Sequence, residues 1–316
     1  MKQGPHLLII LDGFGYQHTP DYNALYHANP RHLLSWMDTY PSSLLHASGR
    51  FVGLLPHMMG NSEVGHLTLG SGRVIKQPLL ELHDQIASGS FFSNRLLIEH
   101  FNRIKKKGKR LHLMGLLSDA GVHSHIDHLL ALITLAHRQG VESVVVHPFL
   151  DGRDTPPQSA AHYLRILEDA LSVIPVGVIG TLHGRFYAMD RDKHWERTER
   201  SYKILTSPQK SQATHWQEAL SRSYDLSITD EFFVPLTLRE DAAWAEGDLL
   251  IFFNFRADRA RQLTQALLQP STVPFSIGGI ALPTHMITCT SYSPDFKVEV
   301  LIHKNVIYNT FFDVLE

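Results

Sequence analysis

Thiol chemistry is almost absent from this sequence, in which Cys289 is the single cysteine. One thiol cannot close an internal disulfide, which excludes a secreted disulfide framework. A surplus of one charge is missing as well. Lys and Arg number 29 against 31 Asp and Glu, a formal net charge of -2, whereas general nucleic-acid binders draw their affinity from an excess of Lys and Arg. The chain opens on Met1-Lys2-Gln3-Gly4-Pro5-His6 and then an apolar run of only five residues, Leu7–Leu11, before Asp12. That run is too short for a signal-peptide core or a membrane span. The expectation is a cytoplasmic protein with no nucleic acid and no membrane among its partners. Repeats and low-complexity segments are absent, and so is a Gly-x-Ser-x-Gly elbow, which weakens an α/β-hydrolase reading.

What is present suits a globular α/β protein. The 316 residues are 43% hydrophobic and 19% charged, a length comfortable for two domains and a composition ordinary for a packed core. Strand-like and helix-like stretches alternate. Leu7–Leu11 reads as a strand buried on both faces, closed by the turn Asp12-Gly13-Phe14-Gly15. Val144–Val146, Val176–Gly180 and Leu249–Phe253 read as further buried strands. Ile126–Arg138 and Ala160–Ser172 carry apolar residues at helical spacing. Each of the three later strands runs on into charged residues, and ligand sites in open α/β sheets lie at the carboxyl ends of strands.

The sharpest motif is Gly60-Asn61-Ser62-Glu63-Val64-Gly65-His66. A serine at a helix start sits where backbone N–H groups and the helix dipole favour an anion. Its hydroxyl needs a base or a metal to become a nucleophile, and Asp12 is the candidate carboxylate ligand for such a metal. The plainer role for Ser62 is a helix N-cap. In Asp151-Gly152-Arg153-Asp154-Thr155-Pro156-Pro157, glycine permits a tight turn. There Arg153 can clamp a phosphate or carboxylate while Asp154 accepts from a substrate hydroxyl; an Arg–Asp pair that merely locks the loop is equally open. Gly184 to Asp192 places Arg185 and Arg191 around an aromatic stretch. Asn254 to Arg261 places Arg256 and Arg259 three apart, on one face if the segment is helical. Solvated charge with weak local ion pairs is the alternative for both. Ser118 to His128 contains His123-Ser124-His125, which lacks the partners of a zinc ligand set. A substrate-binding histidine or a helix N-cap region are its two readings. The 21 histidines assign no metal by their number.

Taken in order, Leu11–Gly15, Met59–Leu67, Leu113–His128, His147–Pro157, Gly184–Asp192, Thr229–Phe232 and Phe252–Gln262 resemble the cofactor-independent phosphoglycerate mutases. The resemblance runs along nearly the whole chain. It implies an alkaline-phosphatase-like domain, here residues 1–76 plus 298–316 and incomplete, with an inserted α/β substrate-binding domain over 77–297. It implies interconversion of 3-phosphoglycerate and 2-phosphoglycerate through a phosphoserine, with no 2,3-bisphosphoglycerate required. By motif position Ser62 is the nucleophile, and Asp12 and Ser62 are ligands of a divalent metal pair, manganese by expectation. His123, Arg153, Asp154, Arg185, Arg191, Arg256 and Arg259 are substrate contacts, and Asn61 lies beside the nucleophile.

The sequence also departs from the family. Its members are longer, and their later segment carries further aspartate and histidine ligands and a substrate-binding lysine. Leu55-Pro56-His57-Met58 differs from the family pattern before Met59. The expectation is therefore a mutase by family whose 316 residues give negligible turnover by themselves, with an inactive phosphoglycerate-binding fragment as an alternative. A half-enzyme completed by a second chain is a second alternative, and another phosphatase or phosphomutase of the alkaline phosphatase superfamily is a third. Without its neighbours, Leu7–Leu11 is expected to expose an apolar face.

Overall fold

The computed structural model describes residues 7–207, 213, 215–276, 285–303 and 307–315; the opening six residues and Glu316 lie outside them. The chain divides into two compact units, Met1–Gln77 with Ile307–Glu316, and Pro78–Val306.

The first unit holds the helices α1 (Ala24–Ala28), α2 (Arg31–Thr39) and α3 (Ser62–Ser71). Its buried apolar core is small, made of Val52, Leu54 and Val64 with Met58 against them. Leu7–Leu11 forms no strand, and these five side chains are between 44% and 83% exposed. A strand needs a neighbour to take its backbone hydrogen bonds, and no other strand of this unit lies among the described residues. The expected strand is thus corrected to an irregular segment, and the expected exposure of its apolar side chains is found.

The second unit carries the rest of the chain in order: α4 (Pro78–Ser88), α5 (Arg95–Lys106), β1 (Leu111–Leu117), α6 (Ile126–Gln139), β2 (Ser143–Leu150), α7 (Ala160–Leu171), β3 (Val176–Ile179) and β4 (Thr181–Gly184). There follow α8 (Arg185–Ala188), α9 (Trp195–Thr206), α10 (Trp216–Asp225), β5 (Leu236–Thr237), β6 (Leu249–Phe252), α11 (Arg261–Leu268), β7 (His285–Thr290) and β8 (Glu299–Ile302). A short α12 (Phe311–Leu315) belongs to the first unit.

The strands form one sheet in the order β5-β4-β2-β1-β6-β7-β8, with β3 beside the first half of β2. All pairings are parallel except β4 with β5. Because β8 hydrogen-bonds to β7, the chain rejoins the first unit at Ile307, past the expected Val298.

Strand side chains alternate between two cores. Leu111, Leu113, Val144, Val146, Leu249 and Ile251 pack on one face with residues of α5, α6, α7 and α10. Met114, Leu116, Phe149, Leu250 and Phe252 pack on the other with residues of α9 and α11. Period-two alternation on a sheet covered by helices on both sides gives a three-layer α/β unit. Local signals agree with the packing. In α6, the His125 imidazole caps the first turn by accepting from the Asp127 N–H, and Gly140 ends the helix in the left-handed region. Leu129, Leu132, Ile133 and Ala136 give its buried stripe at i, i+3, i+4 and i+7.

Candidate functional site

In a parallel sheet the carboxyl ends of the strands point one way. The four neighbours β4, β2, β1 and β6 therefore bring their following loops to one edge. The loop after β1 carries His123, and that after β2 carries Arg153 and Asp154; Arg185 opens α8 directly after β4, Arg191 follows that short helix, and the loop after β6 carries Arg256 and Arg259. Of these strands, β1 and β4 are not marked by apolar runs in the sequence: His112 and Gly115 interrupt the first, and Thr181, His183 and Gly184 leave the second with one apolar residue.

Asp151, at the end of β2, organises half the cluster. Its Oδ1 accepts from the N–H groups of Arg153 and Asp154 at 3.2 and 3.0 Å, and its Oδ2 accepts from the Ser118 hydroxyl at 2.7 Å. The turn requires Gly152, whose φ is +65° and whose missing Cβ would stand 2.8 Å from the Asp230 side chain. Arg185 is only 3% exposed and bonds Asp151 at 2.6 Å and Asp154 at 2.5 Å. Burial pulls its pKa down, but the hydrogen bonds to Asp154 and Asp151 outweigh it, and the guanidinium stays charged. Arg153 is 57% exposed and reaches Glu231 at 3.2 Å.

Asp258 organises the other half. Arg191 bonds its Oδ2 at 2.8 Å, Arg256 lies 3.1 Å from its Oδ1, and His123 Nδ1 stands 3.6 Å from the same oxygen. The His123 carbonyl accepts from the N–H groups of Phe255 and Arg256, which ties the loop after β1 to the loop after β6. His123 is buried, and its Nδ1 has no hydrogen-bond partner. Burial, followed by the charge of Arg185, lowers its pKa to about 3, so the ring is neutral. Arg256 and Arg259 lie in the connection before α11 and not on a helix face, which corrects the helical expectation.

Arg259 differs from its neighbours. It donates to the Met189 carbonyl at 3.2 Å, and among the described residues it has no ion pair. Burial lowers its pKa, and the positive charges of Arg191, Arg185 and Arg153 lower it further. Cations gathered against their mutual repulsion form a place that an anion relieves.

The first unit holds Ser62 as the first residue of α3. Asn61 is the cap, its side chain accepting from the Val64 N–H at 3.1 Å, so the capping role falls one residue before the serine. The Ser62 hydroxyl donates to Asp12 Oδ2 at 2.7 Å. His66 Nδ1 lies 2.8 Å from the Ser62 carbonyl and 3.1 Å from its hydroxyl. A carbonyl only accepts, so Nδ1 carries the proton and His66 is not placed as a base for Ser62. Asp12 and Ser62 supply two oxygens. Among the described residues no cluster of three His, Cys, Asp or Glu includes Asp12. These residues by themselves fall short of the near-octahedral oxygen set manganese takes.

The sequence reading passed over Asp151, Asp258 and His66 as site members. Asp258 sits inside the Arg256–Arg261 alternation, where its sequence signal is that of an ordinary surface ion pair.

Residues 82–294 match the model of the BPG-independent phosphoglycerate mutase N-terminus. The chain belongs to this family. It is 44% identical over 315 residues to the 2,3-bisphosphoglycerate-independent phosphoglycerate mutase of Moorella thermoacetica, covering 98% of this chain and 61% of that one. It is 48% identical over 297 residues to the namesake from Synechococcus sp. (strain JA-3-3Ab), covering 94% and 56%. A solved structure of Leishmania mexicana phosphoglycerate mutase at low cobalt concentration superposes with a TM-score of 0.74 at 29% identity, covering 85% of this chain and 52% of that one. The chain thus spans a little over half the length of these relatives.

Proposed function

We propose that the arginine cluster of the second unit holds the phosphate and carboxylate of 3-phosphoglycerate or 2-phosphoglycerate. Arg153, Arg185, Arg191, Arg256 and Arg259 serve as the anion contacts, and His123 and Asp154 serve the hydroxyl groups. The observation that carries this is Arg259, a half-buried guanidinium set among three other arginines and, among the described residues, without an ion pair. A doubly charged phosphate and a carboxylate are the bidentate partners that guanidinium forks match. Neutral His123 adds a donor or acceptor without adding a further charge.

Ser62 is the proposed phosphoryl acceptor of the whole protein's reaction, the glycolytic interconversion of the two phosphoglycerates through a phosphoserine. Asp12 and Ser62 are proposed as part of a larger divalent-metal set, with manganese as the expected ion. The second unit corresponds to the inserted substrate domain, and the first to part of a phosphatase-like metal domain. The compartment that fits is the cytoplasm; among the described residues no helix is long and apolar enough to cross a membrane.

Calorimetric titration of the 316-residue chain with 3-phosphoglycerate tests the binding site. The expected result is saturable binding that weakens about tenfold or more in Arg259→Ala. Equal binding by the variant would remove Arg259 from the site, and absence of heat at millimolar ligand would overturn the assignment of the cluster. A mutase assay coupled to enolase, with manganese present, tests the metal set. No product is expected from Asp12 and Ser62 by themselves, and steady turnover would show that they suffice.

A further inference from the structure

Away from the arginine cluster, tertiary folding gathers three imidazoles and a carboxylate. His83 lies in α4, His125 caps α6, and Asp127 and His128 lie in the first turn of α6. Ring centroids are 4.6 Å apart for His83 and His125, and 4.9 Å apart for His83 and His128. Asp127 Oδ2 stands 3.6 Å from His83 Nε2 and 3.5 Å from His125 Nδ1. One ligand atom from each of His83, His125 and Asp127 lies within 4.8 Å of the others.

The hydrogen bonds show what each nitrogen faces before an ion is bound. His83 Nδ1 faces the Leu79 carbonyl at 3.0 Å. A carbonyl cannot donate, so Nδ1 holds a proton; Nε2 faces Asp127, whose carboxyl this contact holds below the usual carboxylate range, and an ion binding there would take the place of a proton on Nε2. His128 Nε2, 3.0 Å from the same Nδ1, is a second acceptor for the Nδ1 proton. His125 Nδ1 accepts from the Asp127 N–H at 3.2 Å, so its one lone pair is engaged in the cap and would leave that bond to take an ion. An imidazole that donates its other nitrogen to a backbone carbonyl is the usual support of a metal-ligating histidine.

We propose that His83 Nε2, His125 Nδ1 and an oxygen of Asp127 form a site for a borderline divalent transition-metal ion, zinc in the first instance. In a tetrahedral zinc site, bonds of about 2.0–2.2 Å put neighbouring ligand atoms roughly 3.4 Å apart. Two edges of the triangle already stand at 3.5 and 3.6 Å. The third closes by rotation of side chains. Asp127 is 52% exposed, which leaves the fourth corner open to water. Two imidazoles and one carboxylate suit zinc, nickel or copper, whereas the oxygens of Asp12 and Ser62 suit a harder ion. The ion would clip α4 to the first turn of α6, two residues beyond His123.

The test is titration of the untagged chain with zinc by calorimetry, and with cobalt(II) by visible absorption. The expected result is one equivalent of zinc, an intense cobalt spectrum of a tetrahedral site, and a thermal midpoint that rises by ~5 °C under excess zinc. His83→Gln and Asp127→Asn should each weaken that equivalent by about tenfold or more, while Asp12→Ala should leave it intact. His83 is partly exposed, so His83→Gln is expected to fold, and circular dichroism checks that it does. Zinc binding that His83→Gln leaves unchanged, or that Asp12→Ala abolishes, would overturn the proposal.

Discussion

Arg185 and Arg259 bring the same charge to the same cluster, and their surroundings give them different work. Arg185 is the buried counter-ion of Asp151 and Asp154. Arg185→Ala strands Asp151, which is 2% exposed, without its cation. Breaking a buried pair on one side costs about 3–5 kcal/mol, so urea denaturation should show a large loss of stability. Arg259 has no ion pair among the described residues and is repelled by Arg191, Arg185 and Arg153. Arg259→Ala should shift stability by less than about 1 kcal/mol in either direction, with its loss appearing in ligand binding. Equal destabilisation by the two variants would show that Arg259 is structural.

At the scale of elements, β1, β2 and β4 are linked by a buried chain of polar side chains. Asp248 Oδ2 faces His112 Nε2 at 3.3 Å, and His112 Nδ1 faces His147 Nε2 at 3.0 Å. His147 Nδ1 faces the Thr181 hydroxyl at 2.9 Å, and that hydroxyl faces His183 Nε2 at 2.7 Å. A carboxylate at one end only accepts, so the protons of the chain all point toward Asp248. Burial holds His147 and His183 neutral, His183 with a pKa lowered to about 3. His123 is lowered to about 3 as well. In the unfolded chain these imidazoles titrate near pH 6.5. Below that pH the unfolded state binds protons that the folded state refuses, until the folded rings themselves protonate, near pH 3 for His183 and His123. Stability is therefore complete above about pH 6.5 and declines as pH falls, by at most about 1.4 kcal/mol per pH unit for each such histidine. Urea midpoints should drop between pH 7.5 and pH 5. An unchanged midpoint would mean that these rings are charged or hydrated in the folded protein.

For the whole molecule, the two units are unequal in core. The second has a large apolar cluster on each face of its sheet, while the first has three buried apolar side chains among its described residues. Leu7, Leu8, Leu44, Leu45 and Met59 are exposed in the first unit. Limited proteolysis should therefore cut first within residues 7–77 and leave a product close to Pro78–Val306. That fragment should unfold at nearly the same denaturant concentration as the full chain. Early cleavage inside β1, β2 or β6 would contradict this ranking.

Local pattern was enough for α6, α7, β2, β3 and β6, because helical stripes and short β-branched runs are readable without knowing their partners. It was also enough for the family, since the arginine and serine motifs are contiguous in sequence. At residues 7–11 the strand did not form although the exposure was legible: an apolar run states that a strand would be buried if neighbours existed, and only tertiary structure supplies neighbours. Strand order decided that β4, β2, β1 and β6 lie side by side and that their loops share one edge. Tertiary folding likewise decided that Asp258 faces Arg191 across 67 residues of sequence, and that His83 meets Asp127. Sequence alone determined which side chains were available for anion binding. Which of them are paired, which remain unpaired and which are neutral was decided by burial and distance, because Coulomb energy and desolvation depend on three-dimensional surroundings and not on order along the chain.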